Sequence, residues 1–179
     1  GIGASAGGIK ALQEFFAHAP ADAGAAYVVI LHLSPDHESH LAEVIQKSGS
    51  MRVTRVVQAE AIEPNRIYVI SPNESLAIAD GHLRVADVTK PEQRHSAIDV
   101  FFRALAEARG PHAVCVVLSG TGQDGAAGLT RVKAEGGLAI AQDPGEAESG
   151  DMPRNAIATR MVDLVLPVAE MPPRIVGYL

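Results

Sequence analysis

The chain has 179 residues, about one domain's worth, and 47% of them are hydrophobic, which allows a substantial core and excludes disorder over most of the length. Fifteen Lys and Arg against 21 Asp and Glu leave a net charge of −6, which argues against a protein that coats nucleic acid or lies on an anionic membrane, and three Tyr, four Phe and no Trp leave little for base stacking. The single cysteine, Cys115, excludes an intrachain disulfide framework and a cysteine-rich zinc site and fits a reducing compartment, the cytoplasm.

The elements follow in order. Gly1–Gly3 reads as the tip of a strand, so the expectation is one domain, 1–179, whose first strand is cut short at its N-terminus. Ala6–Ala19 has Ile9, Leu12, Phe15 and Phe16 on one helical stripe, and Pro20 stops it. Ala26–Leu31 is an unbroken apolar run, the mark of a strand covered on both faces. Ser39–Lys47 is helical, Val53–Val57 alternates weakly, and Arg66–Ile70 is a short strand. Leu76–Ala79 and His82–Val85 flank Asp80-Gly81, a strong two-residue hairpin signal. Ile98–Arg109 is a helix, Ala113–Leu118 a buried strand, and Ala126–Glu135 a helix capped by Gly136-Gly137. Leu138–Ala141 is a strand, Met152–Arg160 a helix, Leu164–Leu166 a strand, and the last turns run to Tyr178. No run approaches the roughly 20 apolar residues of a membrane span, and Gly1-Ile-Gly-Ala-Ser5 lacks the charged start of a signal peptide, so none is expected within these residues. The rhythm predicts an α/β fold, a doubly wound and mostly parallel sheet with helices on both faces and an added antiparallel hairpin. Such sheets carry their chemistry at the carboxyl ends of the strands, here the loops after Gly3, Leu31, Leu118 and Ala141.

Glycine is clustered in two of these loops. Gly3-Ala4-Ser5-Ala6-Gly7 fits G-x-S-x-G at a strand-to-helix turn, where a sharp bend lifts the serine and small neighbours let a substrate come close. The segment alone leaves three uses open: Ser5 as nucleophile, Ser5 as helix cap, or a glycine loop cradling a nucleotide. The nucleotide use needs an acidic residue near the end of the second strand, where Leu31-His32 stands instead; Asp22 lies before that strand. His32 would adjoin Ser5 if the first two strands are neighbours, and so is the candidate base. His37 and His40 follow with Asp36 and Glu38, but their spacing does not match the helical zinc signature, and the expectation is no metal, with both histidines at a solvent-facing helix start. The second cluster, Ser119-Gly120-Thr121-Gly122-Gln123-Asp124-Gly125, offers backbone N–H groups around Gly120–Gly122 and a carboxylate, Asp124, which either orients a histidine or caps the next helix. The order Ser, His, Asp differs from the Ser, Asp, His order of α/β-hydrolases.

Six ordered elements resemble the catalytic domain of the CheB-type chemoreceptor methylesterases, the protein-glutamate methylesterases of bacterial chemotaxis. They are Gly1-Ile-Gly-Ala-Ser5-Ala-Gly-Gly8, Val28–Pro35, Ile67–Pro72, Arg94-His-Ser-Ala-Ile-Asp-Val-Phe-Phe102, Leu118–Gly128 and Met152-Pro-Arg-Asn-Ala156. The resemblance implies Ser5 as nucleophile, His32 as base and Asp124 as orienter, with the backbone N–H groups of Thr121 and Ala6 forming the oxyanion hole. Two positions depart from the family pattern: Thr121 stands where methionine is usual, and Ala6 where threonine is frequent. Both implied contacts are made by backbone, so the roles survive the changes. Arg94 and His95 are candidates for the wall of the substrate cleft. The implied reaction is hydrolysis of glutamate methyl esters on chemotaxis receptors, with receptor glutamine deamidation as a second outcome of the same triad and no cofactor. Ser34-Pro-Asp-His37, Gln142-Asp-Pro144 and Val162–Pro167 are similar to family variants fused to methyltransferase and sensor modules. The implied partners are therefore methyl-accepting chemotaxis receptors and fused regulatory, methyltransferase or sensor domains, with no nucleic acid and no membrane insertion. The alternative is a catalytically silent nucleotide- or partner-binding module of the same fold.

Overall fold

The first strand, β1 (Ile2–Ala4), is apolar and fully buried because it lies at the centre of a seven-stranded sheet. In this computed structural model, which describes residues 1–32, 40–70, 74–87 and 96–179, the chain then forms α1 (Gly8–His18), β2 (Ala26–Leu31), α2 (Leu41–Gln46), β3 (Arg52–Arg55), β4 (Ala59–Ala61) and β5 (Arg66–Val69). There follow β6 (Glu74–Ala79), β7 (His82–Asp87), α3 (Ala97–Arg109), β8 (Val114–Val117), α4 (Ala126–Ala134), β9 (Leu138–Gln142), α5 (Asp151–Ala158), β10 (Leu164–Leu166) and α6 (Met171–Tyr178). The large sheet has the order β10-β9-β8-β1-β2-β5-β3, and all its pairings are parallel.

Its two faces are covered by two cores. On one, Leu12, Phe15 and Phe16 of α1, Ile45 of α2 and Ile175 of α6 meet Ile2, Val29, Leu31 and Val69 of the strands. On the other, Phe101, Phe102 and Leu105 of α3, Leu129 and Val132 of α4 and Ala156 of α5 meet Val28, Ile30, Cys115 and Val117. Successive strand residues point to opposite faces, so a strand buried on both sides needs an unbroken apolar run, as Ala26–Leu31 shows.

The antiparallel part differs from a lone hairpin. The β6–β7 hairpin turns at Asp80 and Gly81, both at positive φ (51° and 73°), the backbone a tight two-residue turn requires. A third strand, β4, pairs with β7 and makes a separate three-stranded sheet in the order β4-β7-β6. Ala59-Glu60-Ala61 is too short and too polar to show a period, so the sequence gives no strand signal there. Leu76 and Leu83 of this sheet join the α3 core.

Helices α3 and α4 cross at Gly128, where an added Cβ would lie 2.7 Å from Phe102 Cβ and 2.8 Å from the Asp99 carbonyl oxygen. Backbone cannot swing aside as a side chain can. Gly128→Ala is therefore expected to cost about 1–3 kcal/mol, seen as a lower denaturant midpoint at unchanged slope. No helix among the described residues is long and apolar enough to cross a membrane.

Candidate active site

The order of the sheet reverses at β1, with β2 on one side and β8 on the other, so the loops after these three strands meet at one crevice. The chain turns as soon as β1 ends. Ser5 donates its N–H to the Ser119 carbonyl at 2.9 Å, and Gly8 donates to the Ser5 carbonyl at 2.8 Å. Gly7 has φ +73°, in the left-handed region, and a Cβ there would lie 2.7 Å from Ser119 Oγ. Glycine is thus required both for the bend and for the close approach. This bend delays α1 to Gly8, two residues beyond the predicted start, and leaves Ala6 exposed at the tip. Gly7 takes the N-cap position with no side-chain cap, and the Ser5 hydroxyl has no hydrogen-bond partner among the described residues. Capping is therefore not what Ser5 does.

Parallel register pairs Ala4 with Leu31, and His32 donates its N–H to the Ala4 carbonyl at 3.1 Å. Ser5 and His32 thus leave the sheet side by side. The His32 side chain reaches across β1 to the loop after β8, where its Nε2 lies 2.8 Å from Asp124 Oδ2. The position that a nucleotide site needs for an acid is filled by this histidine.

Asp124 is buried, with a side chain only 8% exposed, and four hydrogen bonds hold it. Besides His32, its donors are the N–H groups of Ile98 (3.0 Å), Asp99 (2.8 Å) and Gly125 (2.9 Å). Two of these belong to the first turn of α3, whose orphan N–H groups and dipole favour an anion. Asp124 therefore holds the start of α3 and is not the cap of the helix that follows it, whose N-cap is Gly125 with no side-chain cap. A carboxylate surrounded by donors only accepts, so the bond to His32 places the ring proton on Nε2 and leaves Nδ1 as the basic nitrogen.

The glycines of the second loop permit contact with the first. A Cβ at Gly120 would lie 2.9 Å from Ser5 Cβ. Of the donors expected around Gly120–Gly122, one is taken: Gly120 N–H donates to the Ser149 carbonyl at 2.9 Å, because the segment after β9 folds over this loop. The N–H groups of Thr121 and Ala6 have no partner among the described residues, and both residues are exposed. Asn155 Nδ2 on α5 donates to the Gly122 carbonyl at 2.7 Å and steadies the turn from the far side.

Two further residues were not assigned from sequence. Ser119, 1% exposed, donates its hydroxyl to the Ala6 carbonyl at 2.7 Å and accepts the Ser149 N–H at 2.9 Å, while its own N–H donates to Gln142 Oε1 at 2.8 Å. It ties the Ser5 turn to the ends of β8 and β9. Asp99 accepts the N–H groups of Gly125 and Gly128 and lies behind Asp124. Burial pushes the Asp99 carboxyl above the usual range; the nearby Asp124 charge adds to this, and the N–H bonds from Gly128 and Gly125 and the charge of Arg103 oppose it. Asp99 belongs to the Arg94-to-Phe102 element of the family resemblance, but only its neighbours in space reveal a use.

The other candidates fall apart from this cluster. Arg94, His95 and His37 lie outside the described residues. His40 is exposed at the start of α2, 3.6 Å from Glu43, as expected of a solvent-facing histidine. Cys115 on β8 is fully buried, and desolvation pushes its thiol up to about 12, so it stays protonated at neutral pH.

The chain is similar to known proteins along nearly its whole length. The family model described as CheB methylesterase matches residues 1–175. The chain is 32% identical over 166 residues to a Leptospira interrogans protein, covering 92% of this chain and 86% of the relative. It is 34% identical over 182 residues to the protein-glutamate methylesterase/protein-glutamine glutaminase 1 of Geobacter metallireducens, covering 99% of this chain and half of the longer relative. The CheB methylesterase catalytic domain of Thermotoga maritima superposes with a TM-score of 0.91 at 26% identity, over 99% of this chain and 96% of that one. With the family model spanning nearly every residue and the fold shared throughout, the chain belongs to the CheB methylesterase family.

Proposed function

We propose that residues 1–179 form one catalytic domain that hydrolyses methyl esters on glutamate side chains of chemotaxis receptors, with Ser5 as nucleophile, His32 as base and Asp124 as the group that orients and stabilises His32. The observation that carries this reading is the His32–Asp124 hydrogen bond of 2.8 Å beside the Ser5 turn. His32 Nδ1 takes the Ser5 hydroxyl proton as Oγ attacks the ester carbonyl, and the carbonyl π electrons move to oxygen. The N–H groups of Thr121 and Ala6, unpartnered among the described residues, are the donors for that oxyanion. Collapse re-forms the carbonyl, breaks the bond to methoxy, and returns the proton from His32 to give methanol and a glutamyl-Ser5 ester. Water, deprotonated by His32, attacks this ester in the same way and frees glutamate and Ser5.

A primary amide follows the same course with ammonia leaving, so selected receptor glutamines are a second substrate, in line with the paired activities in the name of the Geobacter relative. No step needs a cofactor. At a net charge of −6 the receptor helix must be held by a local surface rather than by a global field, and Arg94 and His95 remain the candidates for that wall. The relatives that extend well beyond this domain support fusion to further sequence, for which regulatory, methyltransferase or sensor modules are the proposed candidates. The cytoplasm is the compartment proposed, in keeping with one buried, unpaired cysteine. A silent nucleotide-binding module would need an acid where His32 stands. Methanol release from methylated receptor membranes tests the reading: the chain is expected to release methanol catalytically, and a rate no higher than in buffer would contradict it.

A further inference from the structure

A second carboxylate stands behind Asp124. Asp99 is the third residue of α3, and its own N–H donates to Asp124 Oδ1. In return, Asp99 Oδ1 accepts the N–H of Gly128 at 2.6 Å and that of Gly125 at 3.1 Å. The Gly125 N–H also lies 2.9 Å from Asp124 Oδ1, so the two carboxylates share one donor. Each helix start thus holds a carboxylate from the other side. Asp124, from the segment entering α4, sits on the N–H groups of α3, and Asp99, from α3, sits on those of α4.

Local sequence points elsewhere. Ser96-Ala97-Ile98-Asp99 has the capping-box spacing, in which the acid reaches back to its own N-cap. Here the carboxylate instead crosses to α4, and the close approach at Gly128 makes the crossing possible. Through Gly125 it pins the residue directly after Asp124, and so the plane from which the Asp124 side chain departs.

We propose that Asp99 is a positioning residue for the triad: it fixes Asp124 against His32 through the shared Gly125 N–H, and its negative charge helps Asp124 stabilise the His32 imidazolium. This rests on the reading of Ser5, His32 and Asp124 given above. The charged groups that face Asp99 among the described residues are Arg103, one turn further along α3, Asp124 from the loop after β8, and His32 beyond Asp124. Because the Asp99 carboxyl is held above its ordinary range, the folded chain keeps its proton more readily than the unfolded one. Its ionisation therefore lowers stability as pH rises through its titration, and a neutral group of the same shape is not expected to unfold the protein.

Asp99→Asn keeps an oxygen for Gly125 and Gly128 and removes the charge; Asp99→Ala removes both. The test is the pH profile of methanol release from methylated receptor membranes by the full chain, with thermal unfolding measured alongside, for wild type, both Asp99 variants and Asp124→Ala. The Asn variant is expected to unfold near the wild-type temperature, lose about three- to tenfold in kcat, and show the acid limb of kcat/KM moved to lower pH by about half a unit, since the imidazolium loses a stabilising charge. The Ala variant is expected to lose about a hundredfold in kcat with KM little changed. An Asn variant whose acid limb stays at the wild-type pH overturns the proposal, whether or not its stability changes, because a purely structural role moves stability and not the limb. Should Asp99→Ala misfold, the Asn variant alone carries the test. If Asp124→Ala is as active as wild type, the triad reading itself fails and the proposal falls with it.

Discussion

Asp124→Ala is expected to lose both activity and stability. Without the carboxylate, His32 lacks the partner that fixes its tautomer and balances its charge, and a rate loss of about 10³–10⁴-fold follows from the role of the third triad member. The same change strips an acceptor from three main-chain N–H groups, those of Ile98, Asp99 and Gly125, in a largely buried setting. Gly125 keeps its bond to Asp99 Oδ1, so the donors left without an acceptor are those of Ile98 and Asp99. Each orphaned buried donor costs about 1–3 kcal/mol, so the variant is expected to be about 2 kcal/mol or more less stable than wild type. Methanol release and a denaturant melt on the same preparation check both halves. A variant that melts with wild type would mean that the N-terminus of α3 does not depend on this acid.

Ser5→Ala is expected to lose at least about 10³-fold in methanol release and to melt with wild type. The contrast with Asp124 is physical. Among the described residues, the hydrogen bonds that shape the Ser5 turn are made by its main chain and by Ser119, and none by the Ser5 hydroxyl. Alanine removes one oxygen from a partly exposed position and leaves the Ser119 bonds and the Gly7 bend untouched. A reacting group that bears no structural load and an orienting group that bears much of it is the pattern expected where geometry is built first and the nucleophile is set on top of it. A Ser5→Ala chain several kcal/mol less stable than wild type would contradict that division.

What the sequence made legible follows from what it encodes locally. Ala26–Leu31 and the run ending at Leu118 are apolar without a break, and only strands covered on both faces need that, so the parallel core could be read directly. Asp80-Gly81 specified its turn because few residues tolerate positive φ twice in succession. Strand β4 was hidden because its pairing with β7 is supplied from outside a segment of three small or charged residues. The start of α1 was misplaced because Gly7 spends its freedom on a left-handed bend that periodicity does not register.

The site divides along the same line. Ser5 and Asp124 sit in glycine loops with recognisable spacing, and His32 follows from strand adjacency. Ser119 and Asp99 draw their meaning from contacts far apart in the chain: Ala6 to Ser119, and Asp99 to Gly128. Neither leaves a local pattern pointing to those partners. The expectation of free donors around Gly120–Gly122 fails at Gly120 for the same reason, since the Ser149 carbonyl that takes its N–H comes from a segment whose place over the loop no spacing reveals.

The most direct test of the triad is methanol release from methylated receptor membranes by four proteins side by side: wild type, Ser5→Ala, His32→Ala and the double variant. Groups that act as one unit do not lose their effects twice, so the three variants are expected to fall to one common residual rate. A Ser5→Ala chain that releases methanol as fast as wild type, or single losses that multiply in the double variant, would contradict the assignment of Ser5 and His32 to a single catalytic unit.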